Sequence, residues 1–105
     1  MRAMPSSQFA ADEVLILADD TCIDVFHQMY DRGFRAPVAW AGVSTKTKRD
    51  EVDVKIGFAA DHAGPVYGED LELGTFLMSF TLPLTEEPRL RAFFADVAAS
   101  GGRAA

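Results

Sequence analysis

Two histidines, one cysteine and a short basic run are the residues of this 105-residue chain whose types invite chemistry. His27 lies between Phe26 and Gln28, with Asp24 and Asp31 close in sequence. A histidine base needs an orienting carboxylate and a substrate cleft, and a partly buried strand histidine accounts for this one more simply. His62 sits in "AADHAG" beside Asp61, with Glu69 and Asp70 further on. Oxygen ligands and one imidazole suit a divalent ion in principle, but the spacing matches no calcium loop and reads as a solvated acidic loop. Cys22 is flanked by Asp20 and Asp24. Carboxylates raise a thiol's pKa rather than activate it, so it reads as a small structural residue. The serines fall in no G-x-S-x-G setting, and there is no glycine-rich phosphate loop. No set of nucleophile, base and orienter assembles, so the expectation is a protein that is not an enzyme and uses neither cofactor nor metal.

The basic run is Lys46-Thr47-Lys48-Arg49, followed at once by Asp50-Glu51. As a possible anion contact, Lys46, Lys48 and Arg49 would meet a phosphate or an acidic partner at a hairpin tip. Over residues 46–55, however, four cations stand against three carboxylates, a net charge of +1. Alternating charges of this kind also keep an exposed strand edge from pairing with other chains, and that reading is preferred.

The whole chain carries a net charge of −6, with unopposed carboxylates at Asp12, Glu13, Asp19, Asp20 and Asp24 and again at Asp61, Glu69, Asp70 and Glu72. Such fields repel phosphate backbones and anionic headgroups, because neutralising phosphates takes clustered Lys and Arg. Nucleic acid is excluded as the main partner and headgroup contact is disfavoured. Hydrophobic residues make up 49% and charged residues 25% of the chain, the balance of a globular domain. One cysteine forms no internal disulfide, and "MRAMPSSQF" has no apolar h-region. Together these imply a soluble, reduced, cytoplasmic protein of one domain over residues 1–105, with residues 1–11 flexible.

The elements that must position these residues follow from periodicity. Val52, Val54, Ile56 and Phe58 alternate with Asp53, Lys55 and Gly57, which predicts a half-buried strand over Glu51–Phe58. "TFLMSFTLPL" (Thr75–Leu84) predicts a second, with Phe76, Met78, Phe80 and Leu82 on one face and Pro83 fitting a strand end or an edge. Glu13–Ala18 and Thr21–Met29, joined at Asp19-Asp20, read as an opening hairpin. Tyr30–Phe34 is a turn around Gly33, and Arg35–Thr47 a third extended stretch. Residues 60–74 form a loop with short strands near Val66–Tyr67 and Leu71–Leu73. Beyond Leu84 the period becomes helical: Leu90, Phe93, Phe94, Val97 and Ala98 make one apolar stripe. Thr85 would cap that helix and Gly101-Gly102 end it, giving a C-terminal helix over residues 85–100.

Short strands in up-and-down order followed by one amphipathic helix resemble a PH-like (pleckstrin-homology-like) split barrel. The resemblance is carried by "RAPVAWAGV" (Arg35–Val43) and "PRLRAFFADVAA" (Pro88–Ala99) and is similar to small bacterial members of that class. It implies an α+β, mainly β fold: an antiparallel split barrel of about seven strands closed by the C-terminal helix. In lipid-binding members a basic cluster between the first two strands meets the headgroup. The matching loop here, Ala18–Thr21, is acidic, so that site does not transfer. Split barrels have strand edges, and "APVAWAGV" (Ala36–Val43) is short of charge on both faces. An interaction edge at Val38, Trp40 and Val43 is therefore expected, open to a protein partner or a second copy of the chain. The function expected is a non-catalytic interaction module that forms a homo-oligomer. A small-molecule or anionic-headgroup binding domain is the alternative.

Overall fold

The computed structural model describes residues 7–30 and 33–103, so the expectations for residues 1–6 and for Asp31 and Arg32 lie outside the described residues. Among the described residues, eight strands and one α-helix follow one another: β1 (Ser7–Ala11), β2 (Val14–Ala18), β3 (Cys22–His27), β4 (Phe34–Pro37), β5 (Ala41–Lys48), β6 (Glu51–Ala59), β7 (Tyr67–Glu69), β8 (Leu73–Pro83) and α1 (Glu87–Ser100). They form two four-stranded sheets, ordered β1-β2-β3-β4 and β7-β5-β6-β8. The fold is α+β and mainly β.

Alternation of apolar and polar residues places the core between the sheets. Phe9, Ile16, Ile23, Val25, Val52, Val54, Ile56 and Leu82 are all buried there. The helix closes the core with the expected stripe, since Leu90, Phe93, Phe94, Val97 and Ala98 are its buried residues. The Phe94 ring stacks on Tyr67 at 5.8 Å and meets Phe93 edge-on at 5.0 Å. Burying a phenylalanine is worth about 1.5–3 kcal/mol, so the helix is held by docking rather than by its own propensity.

Several expectations are corrected. Ser7–Ala11 is not part of a flexible terminus but pairs antiparallel along β2, from Ser7 opposite Ala18 to Ala11 opposite Val14. Burial of Phe9 and a cation–π contact from Arg89, 4.3 Å from its ring, fasten it. The second sheet is mixed rather than wholly antiparallel, because β7 runs parallel to β5. Residues 35–47 are not one strand: they turn at residues 38–40, where Trp40 N–H donates to Pro37 O at 3.0 Å. Thr85 does not cap the helix. A 3-10 turn over Leu84–Glu86 leads into it, without any side-chain cap.

The helix end is more specific than a glycine stop. Gly102 takes φ +76, and its N–H donates to Ala99 O at 3.3 Å while Arg103 N–H donates to Ala98 O at 2.8 Å. This is the paired closure of a Schellman motif. It aims Arg103 back onto the sheets, where its Nη1 donates to Val38 O (2.8 Å) and Ala41 O (2.6 Å) and its Nη2 to Gly64 O (3.1 Å). Burial lowers the guanidinium's pKa and Asp61 partly offsets that, but an arginine stays charged at any working pH.

Candidate interaction surface

The expected interaction edge is not an edge. Val43 sits on β5 between two partners, opposite Ile56 of β6 and Tyr67 of β7. Val38 and Val43 are 1% and 0% exposed, whereas Trp40 is 54% exposed on the turn before β5. Trp40 stacks on His62 at 5.8 Å and meets Phe58 edge-on at 6.4 Å. Of the three residues only Trp40 can touch a partner.

The structure puts the open edge elsewhere. The edge at β1 is covered by α1, with Arg89 Nη2 donating to Ala10 O at 2.7 Å. The edge at β4 is four residues long and carries Arg35, which is paired to Asp24 at 2.7 Å. The edge at β7 is three residues and ends in Glu69. At the fourth edge lies β8, whose eleven residues, LGTFLMSFTLP, include no charge. A long uncharged edge is a ready template for strand addition.

Which of its groups point outward follows from the ladder. Lys48 faces Glu51 across the two-residue β5–β6 turn, and Glu51 faces Pro83. Leu84 N–H, one step on, donates to Asp50 O at 2.8 Å. Because hydrogen-bonded pairs alternate along an antiparallel ladder, Leu82, Phe80 and Met78 bond inward to β6. Pro83, Thr81 and Ser79 then turn their main-chain groups away from it. Pro83 has no N–H to waste there. The Tyr30 hydroxyl approaches Ser79 O at 3.5 Å from outside, as this assignment requires.

Toward its start β8 is irregular. Ile56 faces Met78 but Gly57 faces Phe76, so Leu77 is an extra residue in a bulge. The bulge reverses the expected facing. Phe76 does not join Met78, Phe80 and Leu82 in the core: Phe76 and Leu77 are 53% and 44% exposed. Leu77 borders a hollow of about 390 Å³ with Tyr30, Gly33, Phe34, Arg35 and Met78. The Phe26 ring lies against Gly33, whose added Cβ would meet Phe26 Cε1. Tyr30 and Leu77 thus meet at this hollow beside the free edge, and Phe26, Tyr30, Phe76 and Leu77 are each exposed.

The other expected sites do not converge. His27 accepts a hydrogen bond at Nδ1 from Met29 N–H at 3.0 Å and packs on Tyr30 and Phe80, which is a strand-end structural role. Cys22 is partly buried on β3, its N–H donating to Asp19 Oδ1 at 2.8 Å. The N–H groups of Cys22 and Thr21 hold the Asp19 carboxyl below its usual pKa and tie up the acidic loop. At the basic tip, Lys48 is bound to Asp53 at 2.8 Å, Lys46 faces Asp53 across the ladder, and Arg49 serves the turn with φ 50. Lys46, Lys48 and Arg49 are therefore spread over a hairpin already supplied with counter-charges. Among the described residues, no group of three or more His, Cys, Asp or Glu could hold a metal, and no helix is long and apolar enough to cross a membrane.

A cleft of about 550 Å³ opens between β5, β7 and α1, lined by Thr45, Thr47, Tyr67, Glu69, Glu87 and Arg91 among others. The Tyr67 hydroxyl donates to Glu87 Oε2 at 2.8 Å and Arg91 donates to Glu87 Oε1 at 3.1 Å. Burial first, then the Glu87 carboxylate, push the Tyr67 pKa far up, so the phenol is fixed as a donor and supplies no base. No family model matches the chain, and neither a curated protein nor a solved structure matches it.

Proposed function

We propose that this chain is a non-catalytic, cytosolic interaction module of PH-like split-barrel type that works through protein–protein contact and associates with itself. Two four-stranded sheets closed at β1 and β7 by a C-terminal helix support the architectural part. The functional part rests on one observation: β8 is an eleven-residue edge strand without charge, and its own Phe76 and Leu77 are exposed. Natural sheets blunt such edges with lysines, short strands or a covering element. Among the described residues the other three edges have those devices, whereas β8 has only the bulge at Leu77 and the terminal Pro83, which leave Ser79 and Thr81 free to pair.

Charge placed on the edge tests the reading. Leu77→Lys sits at an exposed bulge position and should leave the fold unchanged while weakening self-association at least tenfold, roughly 1.4 kcal/mol. Sedimentation at rising protein concentration measures it. Wild-type protein that stays monomeric throughout, or a folded variant that associates as before, would sink the proposal. A charge at Val43 would not serve, because that side chain is fully buried.

A second reading, small-molecule or headgroup binding, is favoured only by the cleft beside α1. Its volume suits a ligand, but Glu69 and Glu87 line it with Arg91, which disfavours an anion. Soluble inositol phosphate should therefore leave Tm unchanged. A rise in Tm that Arg91→Ala abolishes and Leu77→Lys keeps would move the assignment to this cleft.

A further inference from the structure

We infer that two copies of this chain pair β8 to β8, antiparallel about a two-fold axis at Phe80, with the acidic end of each edge against the basic end of the other. The inference rests on the self-association proposed above and specifies how it is built.

The register follows from which groups are free. In the regular part of β8, before the chain reaches Pro83, Ser79 and Thr81 are the residues whose N–H and C=O both face outward. Hydrogen-bonded partners on a new antiparallel strand must be outward-facing residues too. An axis at Phe80 sets Ser79 opposite Thr81 of the second copy, and symmetry repeats the pair, so four main-chain hydrogen bonds form. An axis at Ser79 would instead place Thr81 opposite Leu77, inside the bulge. An axis at Thr81 would place Ser79 opposite Pro83, which has no N–H to give. The axis at Phe80 is the one in which both residues exchange both bonds.

Side chains agree with this register. Ser79 and Thr81 lie side by side on the outer face, a pairing of hydroxyls that favours adjacent strands. No like charges meet, because the strand has none. Toward Pro83 the edge is bordered by a hollow of about 320 Å³ lined by Asp12, Asp50 and Glu51 together with Thr81, Leu82 and Pro83. Toward Leu77 the border is basic: Arg35 lines the hollow there, and Lys55 Nζ lies 5.7 Å from the Phe76 ring centroid. Arg35 shares its charge with Asp24, so Lys55 is the cation with more to offer. An antiparallel arrangement brings each acidic end to the partner's basic end, twice. A parallel one would set acid on acid.

The Tyr30 contact to Ser79 O must give way. That contact is long at 3.5 Å and Tyr30 is half exposed, so a main-chain N–H from the second copy replaces it at little loss.

Disulfide trapping in the full chain, in a Cys22→Ser background, reads the register directly. A mixture of Ser79→Cys and Thr81→Cys chains should cross-link several-fold faster than either alone. Directly opposed residues lie about 5.5 Å apart, whereas like residues two steps off register lie at about 7–8 Å, beyond easy bridging. The dimer should also weaken as salt is added. Faster trapping of Ser79→Cys with itself would move the axis to Ser79 and overturn this inference while leaving self-association intact. A dimer that none of these cysteines traps would remove β8 from the interface. Affinity unchanged by salt would overturn the charge pairing. A monomeric chain would end the proposed function itself.

Discussion

Arg103→Ala is expected to cost about 2–3 kcal/mol of stability and to loosen the segment around Gly64 before the rest of the fold. Arg103 is the last residue of the helix-closing motif, and its fork reaches the carbonyls of Val38, Ala41 and Gly64, with Pro65 O further off at 3.4 Å. Those carbonyls belong to the turn that carries Trp40 and to the loop that carries His62. One guanidinium therefore ties together the helix end and the two connections at that end of the sheets. A hydrogen bond to a charged donor contributes about 1.5–3 kcal/mol, and a buried acceptor left bare costs about 1–3 kcal/mol. The estimate stays near the bottom of that sum because the side chain is only partly buried and water can reach some of the freed carbonyls. Arg103→Lys should recover less than half of the loss, since an ammonium lacks the planar fork that spans two pairs of carbonyls. Urea unfolding gives the stability, and amide hydrogen exchange at residues 59–66 gives the local effect. Equal stability for the alanine and wild-type chains would show that the fork holds nothing.

Much of this fold can be read from local pattern. Val52, Val54 and Ile56 alternate into the core as their spacing requires, and the stripe from Leu90 to Ala98 packs as a helix stripe should. What pattern could not supply was the neighbours of each strand. "APVAWAGV" lacks charge on both faces, which would suit an edge open to a partner. The structure gives another reason: β5 lies inside its sheet, between β6 and β7, with Ala41 and Val43 in the core and Gly42 covered on the other face by Leu73 and Ala59. A strand covered on both faces needs apolar residues on both. The true edge, β8, has the clean alternation of an ordinary half-buried strand from Met78 to Leu82. Nothing local in it reveals that one side has no partner, except Pro83, which the sequence did place at an end or an edge. Ser7–Ala11 carries no legible strand pattern for a related reason. Phe9 is its one large apolar residue, and the strand is recognisable only through its pairing with β2 and the helix across it. The reach of Arg103 over 62 residues to Ala41 leaves no local trace at all.

Gly57→Ala is expected to destabilise the fold by about 3 kcal/mol and to weaken self-association at the same time. In the sequence Gly57 looked like a neutral member of the wet face of β6. In the structure it is buried, and a Cβ there would lie 2.9 Å from Phe76 Cα and closer still to the Thr75 carbonyl oxygen. Both obstacles are backbone, so no side chain can swing aside. The strands must part at the bulge instead, and overpacking of this kind costs about 1–3 kcal/mol, with the upper end apt where main chain meets main chain. The same bulge turns Phe76 and Leu77 out of the core. Parting the strands there moves the residues that border the free edge, so association falls with stability rather than independently of it. Gly74→Ala is the control. It lies two residues before Phe76 on the same strand, but its added Cβ would have 3.7 Å to the nearest atom, and an exposed substitution of that kind changes stability by about 0.5 kcal/mol or less. Urea midpoints and sedimentation on both variants decide the matter. If Gly57→Ala loses stability but keeps its affinity for a second copy, the bulge shapes the core without shaping the interface. The contact would then have to lie on the regular half of β8, from Met78 to Pro83, alone.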